Sequence, residues 1–167
     1  MSVQELCKKK FGHILFVVVS FIFSCSQINY ETRYKNLTWQ EILETATNDE
    51  KKIDNFIFYS FVHYKKDIYS GGDGSDSFNE IKKLRDFYTL NDKHEIYVQI
   101  RLNVKSYYEA GPIKTELESL GCNIIKVYSG HNNFMEIGAW VCLDKIMDIA
   151  RIDNVVVIKS FTPFFFR

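Results

Sequence analysis

The sequence predicts an α+β fold: a four-stranded antiparallel sheet backed on one face by two helices, with a helical segment before it. Three observations predict it. Ile96, Val98, Ile100 and Leu102 alternate with Tyr97, Gln99 and Arg101, which is the period of a half-buried strand. Apolar runs at 123–129, 134–143 and 155–159 repeat the strand signal between turn residues. Between the first and second strands, and between the third and fourth, the apolar spacing lengthens to that of a helix.

Taken in chain order, Thr38-Trp39-Gln40-Glu41 has the Thr-x-x-Glu spacing of a capping box and opens a helix to about Thr47. The next stretch, KKIDNFIFYSFVHYKK, reads as helix or strand. Ile53, Phe56, Ile57, Ser60, Phe61 and Tyr64 share a helical face, and that favours helix. Residues 71–79, GGDGSDSFN, have the letters of a calcium-binding nonapeptide turn, but such turns share their ions in stacked copies and this chain has one. A Gly-rich loop at 70–76 is the better reading. It leads into a second capping box, Ser77 to Glu80, and a helix carrying Ile81, Leu84, Phe87 and Tyr88. After the first strand, a helix with Pro112 near its first turn faces inward through Ile113, Leu117 and Leu120 and stops at Gly121. A turn at Gly130-His131-Asn132-Asn133 joins the second and third strands. A short helix over 143–152 turns Ile146, Ile149 and Ala150 inward, and Asp153-Asn154 lead to the last strand. The order β-α-β-β-α-β is that of a ferredoxin-like sandwich.

The N-terminus carries an export pattern. Lys8-Lys9-Lys10 precede Phe11 to Ser24, a run without Asp, Glu, Lys or Arg that is too short for a spanning helix of roughly 20 residues. Ile22-Phe23-Ser24-Cys25 resembles the lipobox of bacterial lipoproteins. That resemblance implies cleavage before Cys25 and a diacylglycerol on its thiol. The expected organisation is a signal peptide at 1–24, a tether at 25–37, a helical segment at 38–90 and a ferredoxin-like domain at 91–167. The protein would sit in the cell envelope, lipid-anchored to a bacterial membrane. An unused lipobox would instead give a secreted protein.

The C-terminal half resembles a family. The pieces YVQIRL and LESLGCNIIKVYSGHNNFMEIGAWVCLDKIMDIARIDNVVVIK are similar to the propeptides of subtilisin-type serine peptidases and to the small free inhibitors related to them. The likeness covers roughly 95–160 and rests on apolar and turn pattern, with no catalytic motif. It implies a binding role, in which the open sheet face presses on the peptidase and the C-terminal tail enters its cleft. The open face would carry Tyr97, Gln99, Arg101, Tyr128, Glu136 and Trp140. The tail would place Phe164, Phe165, Phe166 and Arg167 in that cleft, but the favoured reading of these phenylalanines is that they fold back over the 38–90 helices and complete the core. No peptidase domain follows within the chain, so inhibition or chaperoning in trans is what the likeness implies. The alternative is a surface lipoprotein of structural or host-interaction role without a peptidase partner.

Other chemistry is not signalled, and neither enzymatic activity nor a cofactor is expected. Lys+Arg and Asp+Glu number 21 each, which gives no electrostatic footprint for nucleic acid. The loop Asn103-Val104-Lys105-Ser106 lacks the glycines and arginine of a phosphate-wrapping loop. His13, His63, His94 and His131 are scattered without metal-ligand spacing. If the hairpin turns about Asn132, Cys122 and Cys142 fall opposite one another. Either a cross-strand disulfide or two small thiols fits that position.

Overall fold

The computed structural model describes residue 34 and residues 37–74, 90–91 and 93–160. The chain divides into two compact units, Met1–Leu37 and Thr38–Arg167. All that follows concerns the second unit. The expected helix over 81–88, with its cap at Ser77 to Glu80, lies outside the described residues.

Helix α1, Trp39–Glu44, starts where its cap dictates. The Thr38 side chain accepts from the Glu41 N–H, and the Glu41 carboxylate accepts from the Thr38 N–H at 2.8 Å. Helix α2, Asn55–Tyr69, resolves the ambiguous aromatic run as helix. Asp54 caps it by accepting from the Phe56 N–H at 3.0 Å. Its inner side buries Ile57, Phe58, Phe61 and Val62. Once the cap fixes the start, a helical period puts these side chains on the core, and the β-prone aromatics cannot override that burial.

The sheet contains β1, Ile96–Leu102; β2, Asn123–Ser129; β3, Met135–Val141; and β4, Val155–Ser160. Its order is β2-β3-β1-β4, with every neighbouring pair antiparallel. This is the ferredoxin-like arrangement, and the α+β fold class is as the sequence predicts. Helix α3, Tyr107–Ser119, crosses from β1 to β2, and α4, Ile146–Arg151, lies between β3 and β4. Right-handed crossovers place both on one face. Ile113, Leu117, Ile146 and Ile149 of the helices, and Val98, Ile100, Ile137 and Ala139 of the strands, are all buried.

One detail differs from the sequence reading. Helix α3 begins earlier than Pro112, which therefore lies inside it. The start is set by a capping box at Ser106 and Glu109, in which the Ser106 hydroxyl donates to Glu109 Oε2 at 2.7 Å. The pattern Ser-x-x-Glu was present in the sequence, but Pro112 drew the start toward itself. The helical segment and the sandwich lie in the same compact unit, Thr38–Arg167. Ile53 bridges Ile158, the Asp54 N–H donates to the Ile158 carbonyl at 2.8 Å, and Lys52 Nζ donates to the Ala150 carbonyl at 2.7 Å. The two contacts with Ile158 occupy part of the outer edge of β4, a row of backbone groups that would otherwise invite another strand.

The cap of α3 yields a test. Ser106→Ala removes an acceptor for the Glu109 N–H and should cost about 1 kcal/mol in urea unfolding, with Ser106→Asp restoring most of it. The Ser106 hydroxyl, and then the Lys105 N–H, hold the Glu109 carboxyl below its ordinary range. That carboxylate's contribution is thus present above the unfolded-chain value and is lost as the pH falls through the lower folded one. The Ser106→Ala chain should show a smaller loss on acidification than the parent.

Candidate protein-binding face

The face of the sheet opposite α3 and α4 is built by alternation. On β1 the side chains not spent on the core are Tyr97, Gln99 and Arg101. Their β3 partners are Trp140, Gly138 and Glu136, in that order. Across β3, Tyr128 pairs with Glu136, Lys126 with Gly138 and Asn123 with Trp140. On the other side, Lys159 lies beside Gln99 and Val157 beside Arg101. The structure thus brings together Tyr97, Gln99, Arg101, Tyr128, Glu136 and Trp140, the six residues the sequence assigned to this face.

Their arrangement is a layer of its own. Glu136 is only 2% exposed although it is charged and lies on the side without α3 and α4. Burying a carboxylate costs several kcal/mol unless partners replace its water. Arg101 Nε supplies one, donating to Glu136 Oε1 at 2.9 Å. Gln99 Nε2 donates to Glu136 Oε2, and also to the Tyr128 hydroxyl at 2.6 Å. Tyr128 thus reaches the carboxylate through Gln99, which bonds both. Lys126 Nζ sits 4.7 Å from the centre of the Tyr128 ring, within cation–π range. At the other end of the face, Tyr97 and Trp140 meet edge to face at 5.3 Å.

Glycines make room for this layer. A Cβ on Gly138 would collide with the Tyr97 hydroxyl, and one on Gly130 would collide with the Glu136 carboxyl. Glycine inside a strand often marks such a close approach. Gly138 was therefore the legible signal for a side chain lying flat across β3, a feature the sequence reading missed. The burial of Glu136 was missed as well, because a Glu on the polar side of an alternating strand carries no mark of being covered.

The cysteines behave differently from the symmetric hairpin. Asn123 opposes Trp140, whereas Lys126 opposes Gly138, so one extra residue bulges between Ile124 and Lys126. That bulge shifts the outer half of the hairpin by one place, and Cys122 is then aligned with Val141 rather than Cys142. Both are free thiols, Cys122 buried and Cys142 exposed. Burial pushes the Cys122 thiol up to about 11, with charge repulsion from Cys142 and Glu95 adding to it. Burial raises Cys142 too, and the Glu95 carboxylate beside it acts in the same direction. Thiols so shifted stay protonated at neutral pH and are poor nucleophiles.

Cys25, Phe164, Phe165, Phe166 and Arg167 lie outside the described residues. Among the described residues, no group of three or more His, Cys, Asp or Glu side chains could hold a metal ion, and no helix is long and apolar enough to cross a membrane. The class defined by the fold is an α+β sandwich of ferredoxin-like strand order. Comparison with family models, with curated proteins and with solved structures gives no match.

Tyr128 reports on the layer. Burial first, and then the Glu136 charge, push its phenol from 10.0 up to about 12. A folded-state value above the unfolded one gives stability that is fully present below the unfolded value and is lost as pH rises through the folded one. Phenolate absorbance in the folded chain should therefore show a late-titrating component that Tyr128→Phe diminishes. Unfolding stability should decline between about pH 10 and 12 more steeply in the parent than in Tyr128→Phe.

Proposed function

We propose that the protein is a lipid-anchored, non-catalytic protein-binding module of the bacterial cell envelope, whose polar sheet face docks on a subtilisin-type serine peptidase and inhibits or chaperones it in trans. The observation that carries this reading is the grouping of Tyr97, Trp140, Arg101 and Tyr128 on one face. Aromatic and arginine side chains dominate binding hot spots. Here they are held in place before any partner arrives. Arg101 is fixed by Glu136, and the Tyr97 ring is fixed between Gly138 and Trp140. Side chains already ordered lose less entropy on docking, so more of the contact energy is retained as affinity.

The anchor half of the proposal stands on the lipobox resemblance at Cys25. The peptidase half stands on the resemblance over 95–160 together with the strand order. The hydrogen-bonded face offers ordered contact area, in keeping with a binding role.

Inhibition of a subtilisin-type peptidase by the full chain tests the peptidase half. Micromolar protein should slow the peptidase. Tyr97→Ala with Trp140→Ala should weaken the inhibition by roughly tenfold or more, as expected for removal of two aromatic anchors. Removal of residues 162–167 should weaken it further or turn the protein into a substrate. Peptidases left untouched by the folded parent chain would sink the inhibitor reading. A chaperone role would then survive only if the protein accelerates refolding of such a peptidase.

A further inference from the structure

Helices α1 and α2 carry a second aromatic surface, separate from the polar sheet face. Each spends one side on the core, with Ile42 and Ile57 fully buried and Phe58 1% exposed. On the other side, Leu43 is 37%, Phe56 44% and Tyr59 36% exposed. Trp39 joins this strip, meeting Tyr59 edge to face at 5.1 Å and Phe58 at 5.8 Å. Tyr59 also lies 4.2 Å from the His63 ring. Large apolar groups raised together on one outer side of a well-capped helix pair mark an interaction surface rather than scattered exposure.

Its position and chemistry indicate what it meets. The strip stands on the first two helices of the folded unit, directly after the stretch 26–37. Twelve residues lie between Cys25 and Thr38, and a chain of that length spans at most about 45 Å even when extended. A lipid on Cys25 therefore keeps α1 within that reach of the bilayer surface. Trp and Tyr, apolar in body and polar at the tip, favour the headgroup layer, and Leu and Phe favour the acyl boundary beneath it. The charged side chains next in sequence to the strip, Glu41, Glu44 and Asp54, are acidic. They suit a zwitterionic headgroup layer and oppose an anionic one.

We propose that the strip formed by Trp39, Leu43, Phe56 and Tyr59 rests on the zwitterionic surface of the membrane that holds the lipid anchor. The strip thereby fixes how the folded unit stands on the bilayer. This rests on the Cys25 reading, and the test separates the two. The chain contains two tryptophans, Trp39 and Trp140, so each can be made the sole fluorophore. The acylated full chain is reconstituted into phosphatidylcholine vesicles with brominated acyl chains. With Trp140→Phe, emission from Trp39 should shift to shorter wavelength and be quenched. With Trp39→Phe, emission from Trp140 should not be quenched. Phe56→Glu with Tyr59→Glu should abolish quenching of Trp39, while flotation through the lipid persists and far-ultraviolet circular dichroism stays unchanged. A chain that floats but leaves Trp39 unquenched overturns this proposal alone. A chain that carries no acyl group and does not float overturns the anchor reading and this proposal with it.

Discussion

The structure depends on a carboxylate placed where carboxylates are costly. Glu136 lies on β3, an inner strand of the sheet, and is almost fully covered. A buried charge is tolerated only if its lone pairs are occupied. Two side chains from β1, Arg101 and Gln99, occupy them, and Gln99 also bonds the hydroxyl of Tyr128 on β2. Removal of any partner leaves the charge less compensated, so the group acts as a unit. What would otherwise be a row of mobile polar side chains becomes a surface with defined shape.

The rest of the sheet accommodates that surface. Gly130 and Gly138 leave out the Cβ atoms that would strike Glu136 and Tyr97. The bulge between Ile124 and Lys126 restores strand alternation on β2, so that Lys126 and Tyr128 share the face while Val127 pairs with Ile137 on the core side. On the opposite face, α3 and α4 seal an apolar layer, and the 53–54 segment occupies part of the outer edge of β4. The sheet therefore has a closed apolar side, a partly covered edge and an organised polar face.

Much of this was legible in the residues because the signals were local. Strict alternation over 96–102 gave β1 its limits and both of its faces. Thr38 with Glu41, and Gly121 in the left-handed conformation at φ 87°, set helix ends through one side chain or one missing Cβ. The aromatic run at 56–62 was ambiguous because bulky side chains serve both helix and strand, and the Asp54 cap with burial of Ile57 and Phe61 settled it. Features that depend on non-local geometry were not legible. The bulge at Ile125 has no Gly or Pro to announce it, and it undid the symmetric alignment of Cys122 with Cys142. The covering of Glu136 depends on side chains arriving from the two neighbouring strands, which no reading of β3 alone contains.

The most direct measurement is a double-mutant cycle in urea between Arg101→Met and Glu136→Gln in the full chain. If the carboxylate organises the face, the two changes are strongly coupled. Because Arg101 is 29% exposed, solvent screening holds that coupling to about 1–2 kcal/mol rather than the larger values of fully buried pairs. Additivity within about 0.3 kcal/mol would mean that Glu136 does not hold Arg101, and would contradict the account at its root.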